Sequence, residues 1–77
     1  MTVVRFFAAA EEAVGADRLV RTEQTLGGLR AALETEHPAL VALLPRCAVL
    51  VDGARVDDDH ALTADTVVDV LPPFAGG

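Results

Sequence analysis

This sequence of 77 residues contains no lysine, no serine and a single cysteine, Cys47. One cysteine excludes an internal disulfide, and without serine the two histidines have no hydroxyl partner for a serine nucleophile triad. No apolar run approaches the roughly 20 residues needed to cross a membrane, and no charged-then-apolar signal segment opens the chain. The sequence therefore predicts a cytoplasmic protein that does not span a membrane.

The charge is strongly acidic, with twelve Asp and Glu residues against six arginines and a net charge of −6. This balance opposes nucleic-acid binding, which depends on neutralising phosphates, and favours a partner with a basic surface. The lack of lysine has two interpretations. It leaves an activated C-terminus with no side-chain amine on the same chain to acylate, or it reflects drift in an arginine-rich proteome.

Hydrophobic periodicity divides a single domain, residues 1–77, into strands and helices. β-Branched, aromatic and apolar runs predict five strands, at residues 2–7, 17–23, 47–51, around Arg55–Val56 and at 66–71. Helical spacing predicts a short helix, a main helix and a helical turn, at residues 8–14, 26–36 and 39–44. Gly15 ends the short helix; Thr25 caps the main helix, which Pro38 ends. This order predicts an α+β roll with the first and last strands side by side at the sheet centre.

The C-terminal tail, residues 72–77, is the best candidate for a functional site. Pro72 and Pro73 stop the preceding strand and hold the backbone extended, and Gly76 and Gly77 remove almost all side-chain bulk. We expect such a flexible tail to enter a narrow partner site and present the carboxylate of Gly77 as the reacting group. That carboxylate, with an ordinary pKa of about 3.5, is ionised and must first be activated. The alternative is a frayed C-terminus without a function.

Apolar residues beside the tail are candidates for partner binding. Phe74 either anchors the tail in a partner groove, which we favour, or folds back on its own sheet. Alternation places Phe7 and Leu71 on the face away from the main helix, where they either form an apolar patch joining Phe74 or are covered by the chain's own loops. Ala75 completes the predicted partner-binding set.

The other reactive or metal-binding residue types in the chain do not indicate a catalytic or metal site. Cys47 lies in the most apolar strand and is interpreted as structural rather than as a persulfide carrier. The run Asp57–His60 lacks the spaced ligands of a calcium loop and is interpreted as a solvated acidic turn, so no metal site is predicted. His37 is interpreted as a partner of the helix dipole. We expect no active site within the chain.

Three stretches carry a family resemblance. They are Val4-Arg5-Phe6-Phe7-Ala8 with Glu12-Ala13-Val14-Gly15-Ala16-Asp17, then Thr25-Leu26-Gly27-Gly28-Leu29, and Val68-Asp69-Val70-Leu71-Pro72-Pro73-Phe74-Ala75-Gly76-Gly77. Together they resemble the ubiquitin-like sulfur carriers, most closely the small-subunit family of molybdopterin synthase. The resemblance implies a β-grasp fold, in which a mixed sheet wraps one main helix.

The resemblance also implies a function and partners. An ATP-dependent activating enzyme would adenylate Gly77 and deliver sulfur, leaving a C-terminal thiocarboxylate, while Gly76 provides clearance in the partner site. The large, catalytic subunit of molybdopterin synthase would receive the tail, and sulfur would pass to cyclic pyranopterin monophosphate. The chain itself would be a non-catalytic sulfur-donating subunit with no stably bound cofactor; ATP belongs to the activating enzyme.

Two departures from the family bear on the partner surface. Asp52, in the predicted hairpin turn Asp52-Gly53, stands where the family often has Asn, and Glu11 and Glu12 occupy a helix that often carries a basic residue. Other functions stay open: a carrier for thiamine, cysteine or natural-product synthesis, a protein modifier that forms isopeptide bonds, or a non-covalent interaction domain.

Overall fold

The computed structural model describes residues 1–73, and these form one sheet packed against helices. The elements in chain order are β1 (Thr2–Phe6), α1 (Ala9–Val14), β2 (Arg18–Arg21), α2 (Leu26–Glu36), α3 (Leu40–Leu43), a 3-10 turn (Leu44–Arg46), β3 (Ala48–Val51) and β4 (Val67–Leu71). Four of the five predicted strands and all of the predicted helical segments are present, each within two residues of its predicted ends.

The sheet has the strand order β2-β1-β4-β3. Its two central strands, β1 and β4, run parallel, whereas β2 and β3 pair antiparallel with them at the edges. The first and last strands are the chain's most regular alternating segments, and their inward residues are all buried. This confirms the predicted α+β roll. Because β1 and β4 are parallel, their C-terminal ends lie side by side, and the tail begins at the end of β4.

The main helix α2 lies where its sequence predicted. Thr25 is its N-cap, because its Oγ1 accepts a hydrogen bond from the Gly28 amide at 3.1 Å. Its buried stripe at helical spacing packs on the inner face of the sheet. The core consists of Val4, Phe6, Ala10, Leu26, Leu29, Leu33, Leu40, Leu44, Val49, Val51, Val68 and Val70.

The short return strand around Arg55–Val56 is absent, so that prediction was wrong. The Asp52-Gly53 turn does form, with both residues at positive φ (49° and 84°), but it is followed by isolated bridges, Val51 to Ala54 and Thr25 to Ala61, rather than by a strand. The chain instead leaves the sheet and runs to the start of α2. There the Asp58 carbonyl accepts a hydrogen bond from the Gly27 amide at 2.8 Å. The carbonyls of Asp58 and His60 thus satisfy free amides in the first turn of the helix.

The close approach of this loop also explains a glycine in the first turn of α2. A Cβ on Gly27 would lie 3.0 Å from the Asp58 Cβ and 3.1 Å from its carbonyl oxygen. Glycine weakens a helix by about 1 kcal/mol relative to alanine. Here that cost permits the contact that anchors the acidic loop.

Edge strand β2 is tied to the end of α2 by ion pairs. The Arg21 guanidinium donates to both oxygens of Glu23, at 2.9 and 2.6 Å, and to both oxygens of Glu36, at 2.7 Å each. These hydrogen bonds hold the pKa of both carboxyl groups below the ordinary value of 4.5. The arrangement links the sheet edge to the helix across the roll.

Candidate functional site

The chain leaves the sheet at Leu71, the last residue of β4. Pro72, which follows, is buried, and Pro73 is exposed. The described chain therefore ends at the surface, just beyond the C-terminal end of the central strand β4. The predicted residues Phe74, Ala75, Gly76 and Gly77 lie outside the described residues.

Strand register brings two predicted partner-binding residues together at this point. Phe6 pairs with Val70, and the amide of Phe7 donates to the Val70 carbonyl at 3.3 Å, which sets Phe7 beside Leu71. Phe7 is 36% exposed, and Leu71 is half-buried. The two residues form what we call the tail-side patch, at the root of the predicted tail.

The tail-side patch belongs to one of three rows of side chains across the open face of the sheet, which no helix covers in the described part of the chain. The farthest row from the tail is apolar, the middle row carries charge, and the nearest row is apolar again. The residues in these rows are Val20, Val3 and Val67; Arg18, Arg5, Asp69 and Leu50; and Phe7, Leu71 and Ala48. A partner that covers this face and the tail must accommodate charge between two apolar strips.

The charged row is organised by an ion pair between the central strands. Arg5 Nε donates to Asp69 Oδ1 at 2.6 Å, and Arg5 Nη2 donates to Oδ2 at 2.8 Å. This two-pronged contact raises the pKa of the Arg5 guanidinium above its usual value. The Arg5 Cζ also lies 5.9 Å from the centre of the Phe7 ring.

This ion pair was not predicted from the sequence. Alternation indicated that Arg5 lies on the same face as Phe7, and Asp69 on the same face as Leu71. The missing information was the parallel register that places Arg5 opposite Asp69. Opposite charges at matching positions of the first and last strands were the signal available.

A tight turn directly after Phe7 begins helix α1. The Ala10 amide donates to the Phe7 carbonyl at 3.0 Å, and Ala8 has φ 50° and ψ −124°. These angles belong to the first central position of a type II′ turn, where glycine is preferred. Beside this turn a shallow pocket of about 220 Å³ opens, lined by Arg5, Phe6, Phe7, Glu11, Asp17 and Arg18.

Three segments were interpreted as carrying no chemistry, and none of them forms part of the tail-side patch. Cys47 directly precedes Ala48, which pairs with Leu71. Cys47 is half-buried, and its Sγ donates to the Leu43 carbonyl at 3.3 Å; burial raises the pKa of its thiol. The segment Asp57–His60 is exposed, as predicted for a solvated turn. The backbone of His37 ends α2, where its amide donates to the Leu33 carbonyl.

Within residues 1–73, no helix is long and apolar enough to pass through a bilayer. The same residues contain no grouping of three or more His, Cys, Asp or Glu side chains placed to hold a metal ion.

Comparison with known families gives a match over almost the whole chain. The model of the ThiS family matches residues 4–77, a span that includes the tail. A search of curated proteins found no match.

Solved structures with the same fold cover nearly all of this chain. SAMP1 from Haloferax volcanii has 25% identity, a TM-score of 0.79 and coverage of 99% of this chain and 98% of its own. The HVO 2177 protein from Haloferax volcanii has 32% identity, a TM-score of 0.77 and coverage of 99% and 85%. In a complex of subunits 1 and 2 of the molybdopterin-converting factor from Helicobacter pylori, the similar chain has 28% identity, a TM-score of 0.74 and coverage of 99% and 97%. These similarities confirm the β-grasp fold.

Proposed function

Because this chain belongs to the ThiS family of ubiquitin-like sulfur carriers, we propose that Gly77 carries the sulfur as a C-terminal thiocarboxylate. The family match extends to residue 77, and the described chain reaches the surface at Pro73, so three residues lie between that point and Gly77, which carries the reacting group. An ATP-dependent enzyme adenylates the Gly77 carboxylate, and a sulfur donor then displaces AMP. The product presents a soft sulfur nucleophile at the end of the chain.

The proposed pathway is molybdenum cofactor synthesis, with this chain as the small subunit of molybdopterin synthase. The observation that carries this proposal is the 28% identical chain found in a complex of both subunits of the molybdopterin-converting factor. In this pathway the thiocarboxylate donates sulfur to cyclic pyranopterin monophosphate in the large subunit. Two transfers are needed for each dithiolene, so the carrier leaves and is recharged.

The proposed contact with the large subunit combines the tail and the tail-side patch. Phe7 and Leu71 supply apolar surface at the point where the chain leaves the sheet. In this proposal Phe74 and Ala75 of the tail add apolar contacts with the partner, and Gly76 leaves room for the partner's walls close to the sulfur. Binding energy from the patch and Phe74 would then hold the otherwise featureless Gly-Gly end in place.

A protein modifier is the second candidate function. SAMP1, a structural neighbour with 25% identity, is described as a small archaeal modifier protein. In that role the activated Gly77 would form an isopeptide bond with a lysine of another protein. An antibody against this chain would then detect heavier conjugates in host extracts, and these conjugates would disappear when Gly77 is deleted.

Intact mass of the protein purified from the soluble fraction of its own host tests the carrier function. We expect a mass increase equal to replacement of one oxygen by sulfur, absent from a variant lacking Gly77. We also expect the large synthase subunit to co-purify with the wild-type chain. An unmodified mass under sulfur-replete conditions, with Gly77 dispensable, contradicts the carrier function. A thiocarboxylate without any large subunit contradicts only the pathway and favours the thiamine, cysteine or natural-product alternatives.

The clearance role of Gly76 has a matched test. Gly76→Val adds a branched side chain next to the reacting group, whereas Ala64→Val adds bulk at an exposed turn among the described residues. We expect both variants to keep the wild-type thermal transition, and only Gly76→Val to lose sulfur transfer. A normally charged and active Gly76→Val variant contradicts the clearance role.

A further inference from the structure

The exposed Phe7 ring lies next to a charged side chain on its own sheet face. Its backbone is fixed on both sides, by the hydrogen bond to the Val70 carbonyl and by the tight turn at Ala8. The Arg5 guanidinium lies over the ring at 5.9 Å from the ring centre. A cation at this distance attracts the face of an aromatic ring.

Arg5 is able to hold this position because Asp69 anchors it. Arginine side chains on a surface normally sample many rotamers, and ordering one costs entropy. Here both carboxylate oxygens of Asp69 accept from the same guanidinium, at 2.6 and 2.8 Å, and the Asp69 side chain is only 16% exposed. The planar fork therefore has a defined orientation, which a single-point contact would not provide.

We propose that Arg5 is a positioning residue: anchored by Asp69, its guanidinium holds the Phe7 ring beside Leu71, so that the tail-side patch is ordered before a partner binds. Ordering the patch in the free protein reduces the entropy lost on binding. The inference rests on the proposed function, since the patch is taken to meet the large synthase subunit. It adds that the Arg5–Asp69 ion pair raises the affinity for the partner through the aromatic residue that it positions.

The arrangement is tested first in the free protein by nuclear magnetic resonance. We expect nuclear Overhauser effects between the Arg5 side chain and the Phe7 ring in the wild type. Asp69→Asn removes the charged anchor at nearly constant size, and these effects should then disappear while the β1–β4 backbone contacts remain. Arg18→Gln, a charge change on the same face, is the matched control and should leave them intact. Their absence in the wild type, or their persistence in Asp69→Asn, overturns the proposal.

The consequence for binding is tested by calorimetric titration with the purified large synthase subunit of the same organism. We expect Asp69→Asn to weaken binding about two- to fivefold in the wild-type background. In a Phe7→Leu background, Asp69→Asn should have no further effect, because the ring that Arg5 positions is gone. Equal losses in both backgrounds indicate an independent charge effect and overturn the positioning role.

The two experiments separate the inference from the function it rests on. If the wild-type chain does not bind the large subunit, the proposed pathway fails, while the resonance experiment still decides whether Asp69 orders Arg5 and Phe7. If the wild type binds and the double-mutant cycle shows no coupling, the pathway stands and the positioning role fails.

Discussion

Asp52 and Val67 exchange two hydrogen bonds at the point where the last strand begins. The Asp52 amide donates to the Val67 carbonyl at 2.8 Å, and the Val67 amide donates to the Asp52 carboxylate Oδ1 at 2.9 Å. Asp52 is in the left-handed region at φ 49°, which Asp and Asn tolerate better than other side chains. Asp52, which stands where the family often has Asn, therefore keeps both properties that the position needs: a side-chain oxygen that accepts a hydrogen bond and tolerance of positive φ.

Replacing Asp52 tests this relationship. We expect Asp52→Ala to lower the free energy of unfolding by about 1–2 kcal/mol, from the lost acceptor and the strained backbone, and Asp52→Asn to change it by less than about 0.5 kcal/mol. Urea denaturation followed by circular dichroism measures both, with Asp59→Ala in the exposed loop as the control. Equal losses for Asn and Ala would contradict the role of the side-chain oxygen.

Ala8 occupies a backbone conformation that favours glycine, at φ 50° and ψ −124°. Strain of this kind costs about 1–3 kcal/mol, and glycine would relieve it. Glycine also lowers the stability by about 0.5–1 kcal/mol, because it raises the conformational entropy of the unfolded chain. We expect Ala8→Gly to stabilise the protein by about 1 kcal/mol. Ala9→Gly, one residue later at the start of α1, should instead destabilise it. Thermal unfolding checks both, and a destabilised Ala8→Gly would show that the turn is not strained.

Stability should depend on pH through the Arg21 cluster. The guanidinium lowers the pKa of Glu23 and Glu36 in the folded state. A carboxyl group with a depressed folded pKa contributes stability that is complete above its unfolded pKa, about 4.5, and is lost as the pH falls through the folded value. Arg21→Gln should therefore be less stable than the wild type at pH 7, and the difference should shrink as the pH falls to about 2.

Denaturant unfolding across this pH range measures the difference. Arg18→Gln, on the same strand and exposed, provides the control because it removes the same charge without these hydrogen bonds. A difference between wild type and Arg21→Gln that stays constant from neutral to acidic pH would show that the carboxyl groups do not titrate with the ion pairs.

Cys47 should react slowly with alkylating reagents. Burial raises the pKa of its thiol, and the Leu43 carbonyl accepts its hydrogen bond, so little thiolate is present and access is limited. We expect alkylation by iodoacetamide at pH 8 to be about tenfold slower in the folded protein than in urea at the same pH. Similar rates in both states would reopen the interpretation of Cys47 as a sulfur-carrying thiol.

The ends of α1 and α2 and the inward faces of the strands were predictable from local sequence. Thr25, the apolar spacing of Leu26, Leu29 and Leu33, and Gly15 each act within one or two turns of backbone. Alternation in β1 and β4 gave the buried and open faces for the same reason. Side-chain direction along a strand depends on the neighbouring residues alone.

The sequence by itself thus determined the roll, its main helix and the composition of the tail, because short-range hydrogen bonding and periodicity decide these features. Only the tertiary structure decided the strand register that joins Arg5 to Asp69 and sets Phe7 beside Leu71. It also decided that the chain after Ala54 caps α2 rather than forming a fifth strand. These features depend on contacts between residues far apart in the chain, where the fit of the whole core selects one register and one set of acceptors.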